Sequence, residues 1–471
     1  MGSLYKVDGS RAAMPEELDL FTTPITNTAV EGVEWMEITP STQYGANTIV
    51  DFKIENAGDY YLDLSRTLLS FTPTKVLGTE KSSVCNNILH SYWKNIEVSI
   101  CGTQLPQGST NYHHKAFLEK KTLTKIGAQE SQNFLQGYVS SSDIDGSGAA
   151  GFITDFDYSS GPYAISEIKD DGQTPAKFRG LTLRPGWDQE RYELNLVQNK
   201  NLIGPLNHDL FQMKRYLLND TRVDIKMYPN SPAVYMLMKD TESKGITPVD
   251  LKLYVCRVKV SPEIRVRNNA LLAKGDPCIY PYLRTELKAM DILSEETRFS
   301  NLFSKRVPSR MVMTVIKSEN YNGKSNVSPF EYLNTYDISV EVDGVAYPVQ
   351  EFKGAFKDYS LYQSLGPSNE SFGNDVIKRF LKNANNPNLS AEVLPTAFRY
   401  QYSNNPFTVV DLTGMGFTDE NYPLLRNGEV VIKYKSSTYT TDYKLLILAY
   451  FPTQFTLDAA RNCQPYTKSL F

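Results

Sequence analysis

Histidine and cysteine are both scarce in this chain, four and five among 471 residues. The cysteines, Cys85, Cys101, Cys256, Cys278 and Cys463, are odd in number, far apart and without a C-x-x-C pair. That excludes a secreted disulfide framework and a cysteine zinc site. No 18-residue apolar run occurs, so no helical membrane span is expected. The opening Met1-Gly2-Ser3-Leu4-Tyr5-Lys6 runs into polar residues without an apolar signal core, and Lys6 stands where a myristoylation signal needs Ser or Thr. The expectation is an unprocessed intracellular product. Net charge is −4 with no block of like charges, which argues against condensing DNA by direct phosphate neutralisation.

Chemistry-bearing patterns are equally thin. His90, His113, His114 and His208 fall in no H-x-H or H-E-x-x-H spacing, and adjacent residues 113 and 114 would diverge by about 100° on a helix, poorly placed for joint metal ligation. Gly323-Lys324-Ser325 imitates the end of a phosphate-binding loop, but Ser318 stands where its first glycine belongs. Asp143-x-Asp145-x-Ser147-Gly148 begins like a calcium loop, yet Thr154 replaces the bidentate Glu, so a polar turn is expected. There is no G-x-S-x-G elbow. Carboxylate pairs such as Glu16-Glu17 and Glu295-Glu296 read as solvated surface. Asn219-Asp220-Thr221 and Asn326-Val327-Ser328 fit the glycosylation pattern but mean little without a signal peptide. Lys252, Arg257, Lys259, Arg265 and Arg267 form a mildly basic run, read as a solvated edge rather than a nucleic-acid surface. No catalytic, cofactor-binding or metal-ligating residue is expected.

What the chain does have is period-2 alternation, with 30 Tyr and 22 Phe to populate strands. Val50–Ile54, Val223–Met227 and Ile338–Val342 alternate as half-buried strands, whereas Leu445–Phe451 is apolar on both parities and reads as a strand buried on both faces. Helices are expected near His114–Lys121, Glu263–Lys274 and Asn374–Asn383. At this length either three ordinary domains or two large β domains would fit.

An internal repeat decides for two. Ile96-x-Val98-x-Ile100-x-Gly102-x-x-x-Pro106 has the spacing of Ile338-x-Val340-x-Val342-x-Gly344-x-x-x-Pro348, each a strand entering a turn. Leu217-Leu218 before Val223-x-Ile225-Lys226 matches Leu424-Leu425 before Val430-x-Ile432-Lys433. Apolar strands Leu251–Val260 and Leu445–Phe451 are followed by Pro262 and Pro452, so both halves are expected to end with a strand leaving its sheet at a proline. Gly102 to Leu217 is 217 − 102 = 115 residues and Gly344 to Leu424 is 424 − 344 = 80, so the first half carries an insert of roughly 35 residues, placed at Ser140–Pro185. Two such β units, with protected sheet edges, suit sandwiches of the jelly-roll kind.

The residues also resemble a known family, the double jelly-roll major capsid proteins of Polinton/Maverick elements and the related adintoviruses. The resemblance spans nearly the whole chain. It rests on Glu17-Leu18-Asp19-Leu20-Phe21 with Pro24, Tyr60-Tyr61-Leu62-Asp63-Leu64-Ser65 and Asn86-x-x-x-His90-Ser91 leading to Val98 and Gly102. Further on come Leu253-Tyr254-Val255 through Pro262, Leu302-Phe303 with Pro308 and Arg310, Asn322-Gly323 with Pro329-Phe330, and Leu457-Asp458-x-x-Arg461-Asn462. The segments 140–185 and 406–413 depart from the family pattern.

The resemblance implies an all-β double jelly roll with a few short connecting helices: an arm at 1–34, jelly rolls at 35–262 and 276–456, a linker helix at 263–275 and a tail at 457–471. It implies a structural role without enzymatic activity or cofactor: a homotrimeric, pseudo-hexameric capsomer contacting neighbouring capsomers, penton and other minor capsid proteins in an icosahedral shell. That shell would enclose double-stranded DNA without sequence-specific binding, with no membrane span, in a virion assembled inside the host cell, in the nucleus for a DNA element. The alternative is a carbohydrate-binding or carbohydrate-active β-sandwich using Trp35, Trp93 and Trp187 as stacking platforms.

Overall fold

The computed structural model describes residues 20, 23, 26–45, 47–75, 82–105, 111–123, 132–138, 200–238, 245–323, 329–330, 332–333, 336–347, 407–412, 426–436 and 442–465. The expected helix at Asn374–Asn383 and the insert at Ser140–Pro185 lie outside these residues.

In the first half the strands are β1 (Val30–Ile38), β2 (Val50–Asn56), β3 (Tyr60–Lys75), β4 (Ser82–Val84), β5 (Trp93–Ile100), β6 (Thr103–Gln104), β7 (Leu202–Pro205), β8 (Thr221–Pro229), β9 (Met236–Met238) and β10 (Ile246–Val260). In the second they are β11 (Cys278–Ile292), β12 (Glu296–Phe299), β13 (Arg310–Lys317), β14 (Tyr332–Leu333), β15 (Asp337–Val342), β16 (Val345–Ala346), β17 (Thr408–Asp411), β18 (Val430–Lys435), β19 (Tyr443–Leu457) and β20 (Cys463–Pro465). The first half builds antiparallel sheets ordered β1-β10-β3-β7 and β2-β8-β5-β6. The second repeats both orders as β11-β19-β13-β17 and β12-β18-β15-β16, adding β14 beside β13 and β20 beside β19. Each half is therefore an eight-stranded jelly roll.

The repeat extends to cross-strand partners. Val98 pairs with Ile225 and Ile100 with Val223, while Val340 pairs with Ile432 and Val342 with Val430. Both hairpins then turn in two residues, Ile100 facing Thr103 and Val342 facing Val345. Cys101 and Gly102 take φ 50° and 80°, and Asp343 and Gly344 take φ 52° and 81°. Two left-handed residues in succession match the twist of the flanking strands, and glycine at the second removes the Cβ penalty. The extra length of the first half also finds its place. From Gln104 to Leu202 is 202 − 104 = 98 residues, and from Ala346 to Thr408 is 408 − 346 = 62, so the difference of 36 falls between β6 and β7.

The expected helices at 114–121 and 263–274 are present as Tyr112–Leu123 and Pro262–Ala273. The second has proline at its first helical turn, where an N–H would be unpaired anyway, and is followed by Gly275 at φ 93°. β1 opens at Val30, which places residues 30–34 in the sheet, and β20 returns part of the tail to β19.

The expectation that both halves leave their sheets at a proline holds for β10 and fails for β19. β19 continues through Pro452, which faces Leu283, to Leu457. On its other side β13 ends opposite Tyr450 and β20 begins opposite Phe455, so β19 has β11 as its single ladder neighbour at Pro452. A missing N–H is tolerated in such a gap.

β19 also shows why its sequence is apolar on both parities. Leu445, Ile447 and Ala449 pack inside the second jelly roll with Met311, Met313, Val340 and Ile432. Leu446, Leu448 and Tyr450 join Val312 and Ile316 in a core continuous with the interior of the first jelly roll. One core thus runs from the first jelly roll across the join, while the second jelly roll keeps a separate core inside it. Helix Tyr112–Leu123 lies at the join, its Phe117 ring stacked on Phe330 with centroids 4.1 Å apart and an interplanar angle of 2°.

Candidate functional site

Among the described residues, a group of buried ionisable side chains sits at this join. Lys115 and Glu119 lie four residues apart on helix Tyr112–Leu123 and so share a face, and Asp209 opens the short 3-10 helix Asp209–Gln212. All three are buried. The Lys115 ammonium contacts Asp209 Oδ1 directly. The second jelly roll completes the shell: the Thr285 backbone N–H donates to Asp209 Oδ2 at 2.8 Å and its hydroxyl donates to Oδ1 at 2.8 Å. Tyr450 donates its hydroxyl to Glu119 Oε1 at 3.5 Å, and Oε2 of Glu119 has no partner. Arg310 lies 5.6 Å from the Tyr450 ring centre.

Burial acts on each member against its charged form, and the neighbours decide the outcome. For Lys115 the burial effect is overcome by the Asp209 and Glu119 carboxylates, and its pKa is raised. For Asp209 it is overcome by the Lys115 ammonium, by His208 and by the Thr285 N–H, and the pKa is lowered. For Glu119 burial wins, helped by the Asp209 charge, and its pKa is raised. The group is an ion pair flanked by a carboxyl that favours its proton.

A second polar network runs behind it. His90 faces the Tyr112 hydroxyl through Nδ1 at 2.8 Å and Gln136 Oε1 through Nε2 at 2.9 Å, which a neutral imidazole satisfies by accepting at Nδ1 and donating at Nε2. Lys120 donates to the same Gln136 oxygen and to Asn133 Oδ1 at 3.2 Å, and burial lowers its pKa to about 7. No local pattern joins residues 115 and 209. Lys115 and Glu119 at helical spacing were visible; their partner across 209 − 115 = 94 residues was not.

The residues singled out in the sequence are scattered. All four histidines are buried in the first jelly roll or at its join with the second. His113 and His114, expected to diverge, bring their rings to 4.3 Å between centroids, and none of their four ring nitrogens has a hydrogen-bond partner. No third metal-ligating side chain joins them, nor does any such trio occur among the described residues. Trp93 is fully buried, Trp35 stands half exposed on β1, and Trp187 lies outside the described residues. The basic run is largely neutralised: Lys252 pairs with Glu37, Arg257 with Glu34, Lys259 with Glu31 and Arg265 with Asp59. Asn219 of the first glycosylation pattern is engaged by Arg461, whose Nη2 donates to its Oδ1 at 2.9 Å. Gly323 takes φ 83°, while Lys324, Ser325 and the Asp143–Gly148 stretch fall outside the described residues. A depression of about 440 Å³ on the outer face of β12, β15 and β18 is lined by Glu296, Arg298, Lys433 and Lys435 among others, with Lys435 paired to Glu296. No described helix is long and apolar enough to cross a membrane.

The two strand orders define the class: the chain has the double jelly-roll fold found in viral major capsid proteins. It is similar to the capsid protein in a quasi-atomic model of the PBCV-1 virus capsid, with a TM-score of 0.59, 10% identity and coverage of 95% of this chain and 100% of the other. A chain of the Sputnik virophage matches with a TM-score of 0.54, 10% identity and 98% and 94% coverage. The Faustovirus major capsid protein matches with a TM-score of 0.50, 10% identity and 92% coverage of each chain. In sequence, the uncharacterized protein F54H12.2 of Caenorhabditis elegans is 21% identical across 93% of this chain and 98% of its own length. No family model matches.

Proposed function

We propose that this chain is a structural major capsid protein of the Polinton/Maverick and adintovirus type, without an active site. The observation that carries the reading is the tandem of two jelly rolls, alike in strand order and register and joined by a core that runs across between them. Three copies of such a tandem present six similar barrels in a ring, so a three-fold assembly acquires a nearly six-fold outline and can tile a closed lattice from one gene product. In this reading the arm before β1, the helix Pro262–Ala273 as linker and the tail after β19 flank two jelly rolls, with the connection between β6 and β7 as the chief variable surface. The capsomers meet penton and other minor proteins in an icosahedral virion around double-stranded DNA, assembled inside the host cell, in the nucleus for a DNA element. The end-to-end match to a nematode protein supports an element resident in animal genomes.

The test is the mass of the purified chain by light scattering, followed by negative-stain images of the same fraction. A species near three times 53.2 kDa with a hexagonal outline is the expected result. A clean monomer across salt and pH refutes the capsomer.

A further inference from the structure

We propose that Lys115 and Asp209 condense spontaneously into an intramolecular isopeptide bond, with the neighbouring Glu119 carboxyl as the group that moves the protons. This modification is a property of the folded chain and does not depend on the capsid reading.

The geometry supplies what amide formation requires. The Lys115 Nζ and the Asp209 carboxyl are already in contact, so no diffusional encounter remains to be overcome. Both side chains, and Glu119 one helical turn further on with the Tyr450 hydroxyl against it, are buried, so water neither competes nor dilutes the local electrostatics. Thr285 holds both Asp209 oxygens, Oδ2 through its backbone N–H and Oδ1 through its hydroxyl, which places fixed donors where negative charge develops when nitrogen adds to the carboxyl carbon. The unpartnered Oε2 of Glu119 is a buried polar atom that the resting fold leaves idle.

The atoms balance without an oxidant or a co-reactant. In the dry site one proton passes from the Lys115 ammonium to the Asp209 carboxylate, leaving a neutral amine and a carboxylic acid. The Nζ lone pair attacks Cγ of Asp209 and the N–C bond forms. The Glu119 carboxyl gives its proton to the leaving hydroxyl and recovers one from the nitrogen, the C–O bond breaks and one water departs. The product is a secondary amide that keeps a single N–H, and Glu119 is regenerated. An ammonium and a carboxylate, both costly to bury, become one neutral group. The bond closes a loop of 209 − 115 = 94 residues that contains the whole insert of the first half.

The test is the intact mass of the folded chain under denaturing conditions, with a peptide map of the same sample. The expected result is a mass lower than that of the sequence by one water, together with a branched peptide joining the Lys115 and Asp209 segments. Cleavage between the two residues then leaves fragments that still migrate together on a reducing, denaturing gel. Glu119→Gln should restore the full mass and abolish the branched peptide. Lys115→Arg does the same, should the first variant fail to fold. A folded wild-type chain at full mass overturns the proposal and leaves a salt bridge only. Loss of water without a branched peptide marks a succinimide and overturns it as well; a branched peptide that persists in Glu119→Gln removes Glu119 from the reaction.

Discussion

The four buried histidines make the fold acid-sensitive in a window where few other groups titrate. His90 and His114 are lowered from 6.5 to about 3 and His208 to about 4, in each case chiefly by burial, and His113 is lowered well below 6.5 by burial and by His114. In the unfolded chain each binds a proton as pH falls through 6.5, while in the folded chain it stays neutral. The unfolded state therefore gains protons first, and stability falls with pH. Between about pH 7.5 and about pH 5.5 each histidine costs about 1.4 kcal/mol, so the four together cost roughly 5 kcal/mol. Glu119 and Lys120 work the other way: the raised pKa of Glu119 lets the folded chain hold a proton that the unfolded chain has released, and Lys120, lowered to about 7 by burial, takes up in the folded chain a proton that the unfolded chain already holds, so together they offset no more than two protons of the four. The assay is the urea midpoint across this range for the wild type and for His114→Phe, which keeps a ring stacked on Tyr321. The midpoint should fall steadily on acidification and less steeply in the variant. A midpoint flat from pH 7.5 to 5.5, or the same slope in both proteins, would refute the reasoning.

Three further outcomes follow from the fold. Phe330→Ala removes the ring stacked on Phe117 at the join and should lower stability by about 3–5 kcal/mol, read as a shift in the urea midpoint. Gly102→Val and Gly344→Val each force a β-branched residue to positive φ at equivalent turns, and each should cost about 1–2 kcal/mol; markedly unequal losses would contradict the equivalence. Arg461→Ala removes the guanidinium donors to the Asn219 carbonyl and amide oxygens and should raise hydrogen exchange in β20 and the adjoining Leu218–Thr221 turn without shifting the global midpoint much.

Much of this architecture was legible in advance because strands announce themselves locally. The alternation of Ile96, Val98 and Ile100, followed by a glycine, carried strand, face and turn together, and its recurrence at Ile338 carried the duplication. The two-parity run at Leu445 was legible for the same reason: a strand apolar on both faces needs a neighbour on each, and the first jelly roll supplies the second one. Pro452 misled because its tolerance depends on where β13 and β20 stop, which belongs to the sheet and not to the local peptide. The Lys115, Glu119 and Asp209 group was invisible because each residue alone is an ordinary surface type. Their burial follows from the second jelly roll covering them, a fact of tertiary packing with no local signature.

That covering has a consequence for how the molecule can change over time. Val312, Ile316, Leu446 and Leu448 would face water in a chain reduced to its second half, and Phe117 would do so in one reduced to its first. Either remnant would expose a broad apolar surface prone to aggregation. The duplication is thus a ratchet: loops between strands remain free to lengthen or shorten, as the connection after β6 has, but neither copy can be shed once the other has come to depend on it for shelter.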